Sequence, residues 1–289
     1  MKQTIAILFL MGLSAFVLAQ QPAGSQNPPA QAQPGAAATT ATPPAGKRQP
    51  AAKTQPEYDA YKAAMSAGND PATLEKTADD FSTKYPDSEL RVLLYKNAMH
   101  AYQSANNADK MMEMGRKVLK VDPDDPEALI GVAEVLAERT RDTDLDKDQR
   151  LAEAQKFAQH ALETIDTDVA VPPGTPQEKI DAYKGFMRST AYSILGALAF
   201  NKEQFPEAEG YFRKSIDALP SQPDPIVVLR LAICLDKQNK YPEALKEANR
   251  AVELTQDGTA AGNLARRERD RLVAMTGGNN TAAPAPPKN

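Results

Sequence analysis

The sequence predicts an all-α fold in which antiparallel helix pairs stack one upon another. Apolar residues recur every three or four positions through most of the chain, which is the spacing of one helix face. The triplet Pro-Glu-Ala occurs at 206–208 and again at 242–244, 36 residues later. Each triplet follows an aromatic residue and precedes an apolar stripe. A pattern that returns at this distance is typical of repeated helix pairs, which must stack to cover their apolar faces.

The chain opens with the order of residues that is typical of a secretory signal peptide. Lys2 supplies a positive charge, residues 5–19 are almost wholly apolar, and the small Ala19 precedes a polar stretch. We therefore predict a signal peptide over 1–19 and an exported protein, either periplasmic or at the cell surface or secreted. An uncleaved membrane anchor is the alternative, although a membrane span needs about 20 apolar residues.

Two terminal segments are predicted to be disordered. Residues 20–56 are rich in Pro, Ala and Gln, hold eight prolines and show no apolar periodicity, and residues 276–289 have the same character. Segments of this composition cannot bury a core, so the folded part is predicted over 57–275. Cys234 is the single cysteine, so no intramolecular disulfide can form, which is ordinary for an exported bacterial protein.

The upstream helix pairs are visible in their apolar stripes and closing prolines. A first pair over 55–88 ends at Pro86, and a second pair over 92–125 ends at Pro123. A third pair begins at Pro126 and carries about nine extra residues between its helices, compared with the period of the others.

Several helix starts are marked by a capping residue followed by proline. Asp70, Asp125, Thr175 and Asp224 each precede a proline. Their side-chain oxygens can accept hydrogen bonds from first-turn amides, and proline fits the next position because its missing N–H needs no partner. Glu178 follows Thr175 by three residues, which predicts a capping box.

The downstream units align on their triplets. Phe205 then falls on Tyr241 and Ala208 on Ala244, and small residues such as Gly196 occupy positions where two helices must approach closely. This pattern resembles the tetratricopeptide repeat, whose period is about 34 residues. The resemblance implies an α-solenoid, a right-handed superhelix of about five repeats, in which the first helices of successive units line a concave groove.

Two helices depart from the repeat. Residues 176–200 keep one helical stripe that extends three turns beyond a standard unit, and residues 259–275 are highly charged. The charged segment resembles the capping helix that covers the last apolar face of such arrays with a polar outside. Residues 80–89 also resemble repeat endings of envelope lipoproteins that assist outer-membrane assembly, which favours an envelope setting.

No motif for catalysis or for a cofactor is found. His100 and His160 have no second histidine or cysteine at metal-ligand spacing, and no phosphate loop or hydrolase motif is present. Cys234 lies in an apolar stretch and is predicted to be buried. We therefore predict a protein that is not an enzyme and needs no cofactor. The net charge of −4, with both signs interspersed, argues against nucleic acid or anionic lipid as the main partner.

An acidic loop interrupts the third helix pair. Its alternating aspartates and following glutamate are Asp142, Asp144, Asp146, Asp148 and Glu153. Counted from the first aspartate, they match ligand positions of an EF-hand calcium loop, but Lys147 stands where that loop needs glycine. The alternative is a solvated acidic loop near a helix start, where negative charge is favoured. We therefore predict no metal site and keep these five residues as a calcium candidate.

The concave groove is the predicted site of partner binding. Its candidate residues lie beside the core stripes of the first helices and are Lys96, His100, Gln103, Ile130, Glu134, Ser193, Ala197, Phe200, Leu229, Ile233 and Asp236. Chaperone adaptors with this repeat hold a C-terminal carboxylate with Lys, Asn and Arg. Lys96 and Asn97 fit that clamp, whereas its later basic positions are Ser and Ile here.

The sequence thus predicts a non-enzymatic scaffold of the cell envelope that binds a protein or peptide segment in its groove. The alternative is an envelope-assembly or spacer protein that acts by oligomerisation or by bridging complexes. Under that alternative, the long helix and the outer faces would matter more than the groove.

Overall fold

A computed structural model describes residues 47–172 and 174–277 of the chain. In that part it holds α-helices and no β-strand, which confirms the all-α prediction. The helices are α1 (Gln55–Met65), α2 (Pro71–Lys84), α3 (Arg91–Ser104), α4 (Ala108–Val121), α5 (Pro126–Arg139), α6 (Lys147–Thr164), α7 (Gln177–Asn201), α8 (Phe205–Ala218), α9 (Pro225–Lys237), α10 (Tyr241–Glu253) and α11 (Ala260–Met275). The predicted signal peptide, most of the linker and most of the tail lie outside these residues.

Successive helices pack against one another along the whole array. α3 pairs with α4, α5 with α6, α7 with α8 and α9 with α10, and each pair stacks on the next. The first helices of these pairs are α1, α3, α5, α7 and α9, and the second helices are α2, α4, α6, α8 and α10. This arrangement is the predicted α-solenoid of stacked antiparallel helix pairs. None of the helices in the described residues combines the length and apolar character needed to cross a membrane.

The apolar stripes of the helices form three adjoining core clusters. Met112 and Leu119 on α4 pack at the edges of both the first and the middle cluster. Tyr211 on α8 does the same between the middle and the last cluster. The buried core therefore continues from one repeat to the next, as stacked repeats require.

The two Pro-Glu-Ala stretches are packing elements. Phe205 begins α8 and meets Phe200 edge to face, with ring centroids 5.4 Å apart. Ala208 and Ala244 are fully buried. A Cβ atom on Gly196 would lie 2.5 Å from the ring of Phe212, so glycine is what lets α7 and α8 approach.

Three of the four predicted caps are confirmed. Asp70, Asp125 and Asp224 each accept a hydrogen bond from a backbone amide in the first turn of their helix. The prediction for Thr175 is wrong, because its hydroxyl donates to the carbonyl oxygen of Pro172 at 2.8 Å and α7 begins two residues later. Pro176 occupies the N-cap position of α7, and no side chain accepts from the first-turn amides there, so Thr175 does not cap the helix.

The capping box occurs at the start of α1 instead. The amide of Glu57 donates to the hydroxyl of Thr54, and the carboxylate of Glu57 accepts from the amide of Thr54. Glu57 is buried and also accepts a hydrogen bond from the hydroxyl of Ser88. The Ser88 hydrogen bond and the backbone amides lower the pKa of this carboxyl, although its burial opposes them.

Packing begins upstream of the predicted start of the folded part at residue 57. Lys47 Nζ lies 2.5 Å from Asp122 Oδ1 and 3.1 Å from Asp168 Oδ1. Arg48 binds both carboxylate oxygens of Glu89, at 2.7 and 2.8 Å. The last ten residues that composition assigned to the linker therefore lie against the helices or belong to α1.

The turns inside the repeats share a backbone feature that the residue pattern did not predict. Asn106, Glu203 and Asn239 have φ of 57°, 60° and 60°, and each lies between the first and second helix of its pair. Asparagine tolerates this left-handed conformation, whereas glutamate seldom adopts it. Glu203 and Asn239 are 36 positions apart, so the turn geometry follows the same period as the triplets.

Helix α11 ends the array as its charged sequence predicted. Ala265 and Leu272 are fully buried in the last core cluster. Arg271 on its outer side reaches Asp236 on α9 at 2.6 Å and Glu268 on its own helix at 2.8 Å. The helix therefore covers the final apolar face and ties itself to the preceding repeat.

Candidate partner-binding groove

The groove is the face that α3, α5, α7 and α9 present on the inner side of the array. On α5 the groove positions are Glu127, Ile130, Glu134 and Glu138, which recur every three or four residues. On α7 the corresponding stripe is Tyr183, Phe186, Thr190, Ser193 and Ala197. Burial and the charge of Glu127 on α5 raise the pKa of Tyr183, while the charge of Lys96 on α3 opposes this rise. The three side chains therefore lie close together, on a common face of α3, α5 and α7.

Three of the predicted groove residues are buried and expose little surface on the groove side. Ile130 and Leu229 belong to core clusters, and Ser193 is also buried. These side chains therefore offer a partner almost no accessible surface.

Lys96 and His100 face the groove but are held by carboxylates of the next repeat. Lys96 Nζ lies 2.6 Å from Glu127 Oε2 and 3.0 Å from Asp125 Oδ2, and His100 Nε2 also contacts Glu127. Burial alone would lower the pKa of Lys96, but the charges of Glu127 and Asp125 raise it. Burial alone would raise the pKa of Glu127, but the charges of Lys96 and His100 lower it. This cluster joins α3 to α5 and neutralises the basic end of the groove.

Asp236 is also engaged, since Arg271 of the capping helix binds it. Five predicted residues remain partly exposed on the groove side, namely Gln103, Glu134, Ala197, Phe200 and Ile233. The accessible groove is therefore smaller than predicted, and its apolar members lie toward the C-terminal repeats.

Two aromatic groove residues were missed at the sequence level. Tyr183 and Phe186 are 41% and 37% exposed on the part of α7 that extends beyond a standard repeat. They continue the stripe of Thr190 and Ala197 toward the start of the helix. The spacing could have predicted them, because positions 183, 186 and 190 follow one another by three and four residues and so lie on the same helix face.

Glu134 has an unusual electrostatic environment. Its side chain is partly buried among the helices and partly exposed. This burial and the charges of Glu138 and Asp224 raise the pKa of Glu134 to about 7. Among the described residues, no cation forms an ion pair or hydrogen bond with it.

The comparisons with known proteins bear on the fold. The solved structure of PilF from Pseudomonas aeruginosa matches with a TM-score of 0.52 and 17% identity, over 79% of this chain and 90% of PilF. The repeated helix pairs together with this likeness decide the assignment. The chain has a tetratricopeptide-repeat fold.

Two further solved structures are similar at lower scores. The TPR protein YrrB, described as having an unusual peptide-binding site, matches with a TM-score of 0.46 and 16% identity, over 71% of this chain and 87% of YrrB. A thermophilic TPR protein of Thermus thermophilus matches with a TM-score of 0.43 and 13% identity, over 75% and 99% of the two chains. No protein-family model and no curated protein matches the sequence.

In this TPR array the acidic loop is not drawn together around a common centre. Helix α6 begins at Lys147, whose Nζ lies 2.8 Å from Asp142 Oδ1, and Glu153 further along binds Arg116 on α4 through two 2.7 Å hydrogen bonds. Across residues 47–172 and 174–277, no group of three or more potential ligands is placed to hold a metal ion. The five calcium candidates therefore do not converge on one point, because Asp148 and Glu153 belong to helix α6 and Arg116 binds Glu153.

The lone thiol of the TPR array is a core group. Cys234 is buried on α9, and its Sγ donates a hydrogen bond to the carbonyl oxygen of Phe205 at 2.9 Å. Burial raises the pKa of this thiol to about 11. At neutral pH it is therefore protonated, which makes it a poor nucleophile.

Proposed function

We propose that this chain is a non-enzymatic interaction scaffold of the cell envelope that binds a segment of a partner protein in its groove. The observation that carries the proposal is the exposed aromatic pair on the long helix, Tyr183 and Phe186. Large aromatic side chains left open on a preformed helical surface are suited to bury apolar side chains of a partner. Ala197, Phe200 and Ile233 extend this apolar surface along the groove.

The rigidity of the surface supports the same function. The groove side chains stand on helices whose opposite faces are fully packed in the core. The partner would therefore bear most of the ordering cost of binding, and affinity would come from apolar burial against a preformed surface. The envelope part of the proposal is supported by the sequence of residues 1–19.

The binding test uses peptides selected by phage display against the full chain. We expect Phe186→Ser and Ile233→Asp each to weaken the selected peptides about tenfold or more, since truncating a groove anchor costs over ~1 kcal/mol. Leu254→Ser is the matched control, because Leu254 is similarly exposed at 39% but lies at the end of α10. Isothermal titration calorimetry gives the affinities.

Equal losses in Leu254→Ser and Phe186→Ser would contradict groove binding. A stable oligomer in solution whose formation is abolished by Phe186→Ser would favour the spacer alternative.

For export, residues 1–30 are fused to a reporter enzyme that is active only outside the cytoplasm. We expect activity that disappears when residues 5–19 are deleted, and an inactive intact fusion would contradict export.

A further inference from the structure

We infer that residues 47–53 act as a basic strap that binds the acidic edge of the array across three connections between helix pairs. These connections follow α2, α4 and α6 and cover residues 85–90, 122–125 and 165–176. The strap holds the first three helix pairs together as one unit, so their connections loosen together and not one by one. It acts on the array itself, whether or not a partner occupies the groove.

The strap and the edge carry opposite charges. Residues 20–46 hold no Asp, Glu, Lys or Arg, whereas residues 47–53 hold Lys47, Arg48 and Lys53 and no acidic residue. None of the three connections holds Lys or Arg, and their acidic residues are Asp87, Glu89, Asp122, Asp124, Asp125, Asp166 and Asp168. The N-terminal segment thus becomes basic where it begins to pack against this edge.

Lys47 bridges two of the connections. Its Nζ lies 2.5 Å from Asp122 Oδ1, directly after α4, and 3.1 Å from Asp168 Oδ1, after α6. Hydrogen bonds between an ammonium and carboxylates are among the stronger polar contacts in proteins. A single side chain therefore ties the end of the second helix pair to the end of the third.

The rest of the strap is fixed to the connection after α2. Arg48 binds both carboxylate oxygens of Glu89, at 2.7 and 2.8 Å. Lys53 Nζ donates a hydrogen bond to the carbonyl oxygen of Asp87 at 2.8 Å. Ala52, between these two basic residues, packs at the edge of the first core cluster. The strap is therefore held at both of its ends and packed between them.

Other acidic residues of this edge are bound by the helices. Asp125 caps α5, and Asp124 lies 2.7 Å from Nε2 of His160 on α6. Arg188 on α7 binds Asp166. The strap and the helices thus divide the acidic residues between them, which reduces the repulsion along an edge that has no basic residue of its own.

The strap reaches further than the packing of the helices. Coupling in stacked repeats passes from each unit to its neighbour. The first helix pair packs against α3, and the third pair packs against α4 and α7. Arg48 lies at the connection before the second pair, whereas Lys47 lies at the connections after the second and the third pair. The strap therefore joins the first and third pairs past the second.

The strap is held by charge and is partly open to water. The side chains of Lys47, Asp122 and Asp168 are 33%, 16% and 22% exposed. Such ion pairs weaken as salt rises, because the Debye length falls from about 8 Å at physiological ionic strength to about 3 Å at 1 M. High salt should therefore release the strap and loosen its connections, while the apolar core stays packed.

Hydrogen exchange of the full chain, followed by mass spectrometry, tests the strap. We expect Lys47→Met to accelerate exchange about threefold or more both in residues 118–125 and in residues 161–169, which belong to different repeats. Lys47→Arg keeps the charge and should leave both segments unchanged. Lys76→Met is the matched control, because Lys76 is exposed and pairs at 2.6 Å with Asp80 on its own helix.

The salt dependence separates charge from packing. In about 1 M NaCl the difference between Lys47→Met and the unmodified chain should disappear, since screening releases the strap in both. The strap is overturned if Lys47→Met accelerates exchange in only one of the two segments or in neither. A difference that persists in 1 M NaCl, or an equal acceleration in Lys76→Met, overturns it as well.

Discussion

Glu134 stands at a position where its charge opposes the stability of the fold. Its carboxylate lies among packed helices beside Glu138 and Asp224, and its pKa is raised to about 7. A group with a raised acid pKa in the folded state destabilises that state once it ionises.

We predict that Glu134→Gln increases the free energy of unfolding by about 1–3 kcal/mol at pH 8, because the mutation removes an unpaired buried charge. The folded pKa lies above the unfolded one, so the cost of ionisation is complete above about pH 7 and disappears toward the ordinary value of 4.5. Glu138, Asp224 and Arg230 stay in place in both proteins. Urea denaturation at pH 8 and pH 5 measures the difference, which should shrink at pH 5.

An equal gain at both pH values would contradict this explanation, since it would point to packing and not to charge. Glu253→Gln removes the same charge from the exposed end of α10 and serves as the control. It should change the free energy of unfolding by no more than about 0.5 kcal/mol at either pH.

At the residue scale the sequence predicted which helices face the groove better than it predicted which side chains are open. Ile130 and Leu229 lie one turn from the partly exposed Glu134 and Ile233, but packing in the core clusters buries them. Lys96 was predicted as a free groove residue, but it is bound by Asp125 and Glu127 of the next repeat along the chain. Such pairs depend on the stacking of repeats, which local pattern does not contain.

The α7–α8 pair shows how one element depends on close approach. Gly196 faces the ring of Phe212, and any Cβ atom there would overlap the ring at 2.5–2.6 Å. Phe212 is fully buried and cannot swing away without disturbing the core. The close packing of α7 against α8 therefore requires a residue without a side chain at position 196.

We predict that Gly196→Ala lowers the free energy of unfolding by about 1–3 kcal/mol, through overpacking against Phe212. Gly210→Ala on α8 is the matched control, since a Cβ atom there meets no other atom within 4 Å. That change should stabilise the protein by up to about 1 kcal/mol, because alanine is the better helix former. Thermal denaturation compares the two, and a stabilising Gly196→Ala would refute the packing role.

At the element scale, spacing and capping chemistry predicted most helix starts. Thr175 was mistaken for a cap because the sequence does not show that the N-cap position of α7 falls one residue later, at Pro176. The box at Thr54 and Glu57 was missed because composition placed both residues at the edge of the linker. The left-handed turn at Glu203 could not be predicted either, since glutamate carries no preference for that conformation.

At the largest scale, the described part of the chain is a row of repeats whose stability depends on neighbouring repeats and on the last helix, α11. Each helix pair contacts the next, and α11 closes the last apolar face with Leu272. The stacking followed from the repeated pattern in the sequence. The sequence did not predict the extent of the accessible groove. The long helix α7 adds Tyr183 and Phe186 to it, whereas ion pairs engage Lys96 and, through Arg271 of α11, Asp236.

Loss of the cap should unfold the array from its C-terminal end. We predict that Leu272→Ala lowers the free energy of unfolding by about 2–4 kcal/mol, because Leu272 is fully buried. Hydrogen exchange should accelerate in α9–α11 and stay unchanged in α3–α5, since repeats contact only their neighbours. Met275→Ala on the same helix, where the side chain is 51% exposed, should change little. Uniform acceleration along the chain would contradict this view.

Photo-crosslinking tests the groove function most directly. Benzoylphenylalanine replaces the exposed Phe186 in one full-length protein and the exposed Leu254 in another, and each is irradiated with a peptide selected on the unmodified chain. We expect a covalent adduct from position 186 and none from position 254, with the attachment confirmed by mass spectrometry. Adduct formation at 254, or its failure at 186 while the peptide is bound, would contradict the conclusion that this array binds its partner in the groove.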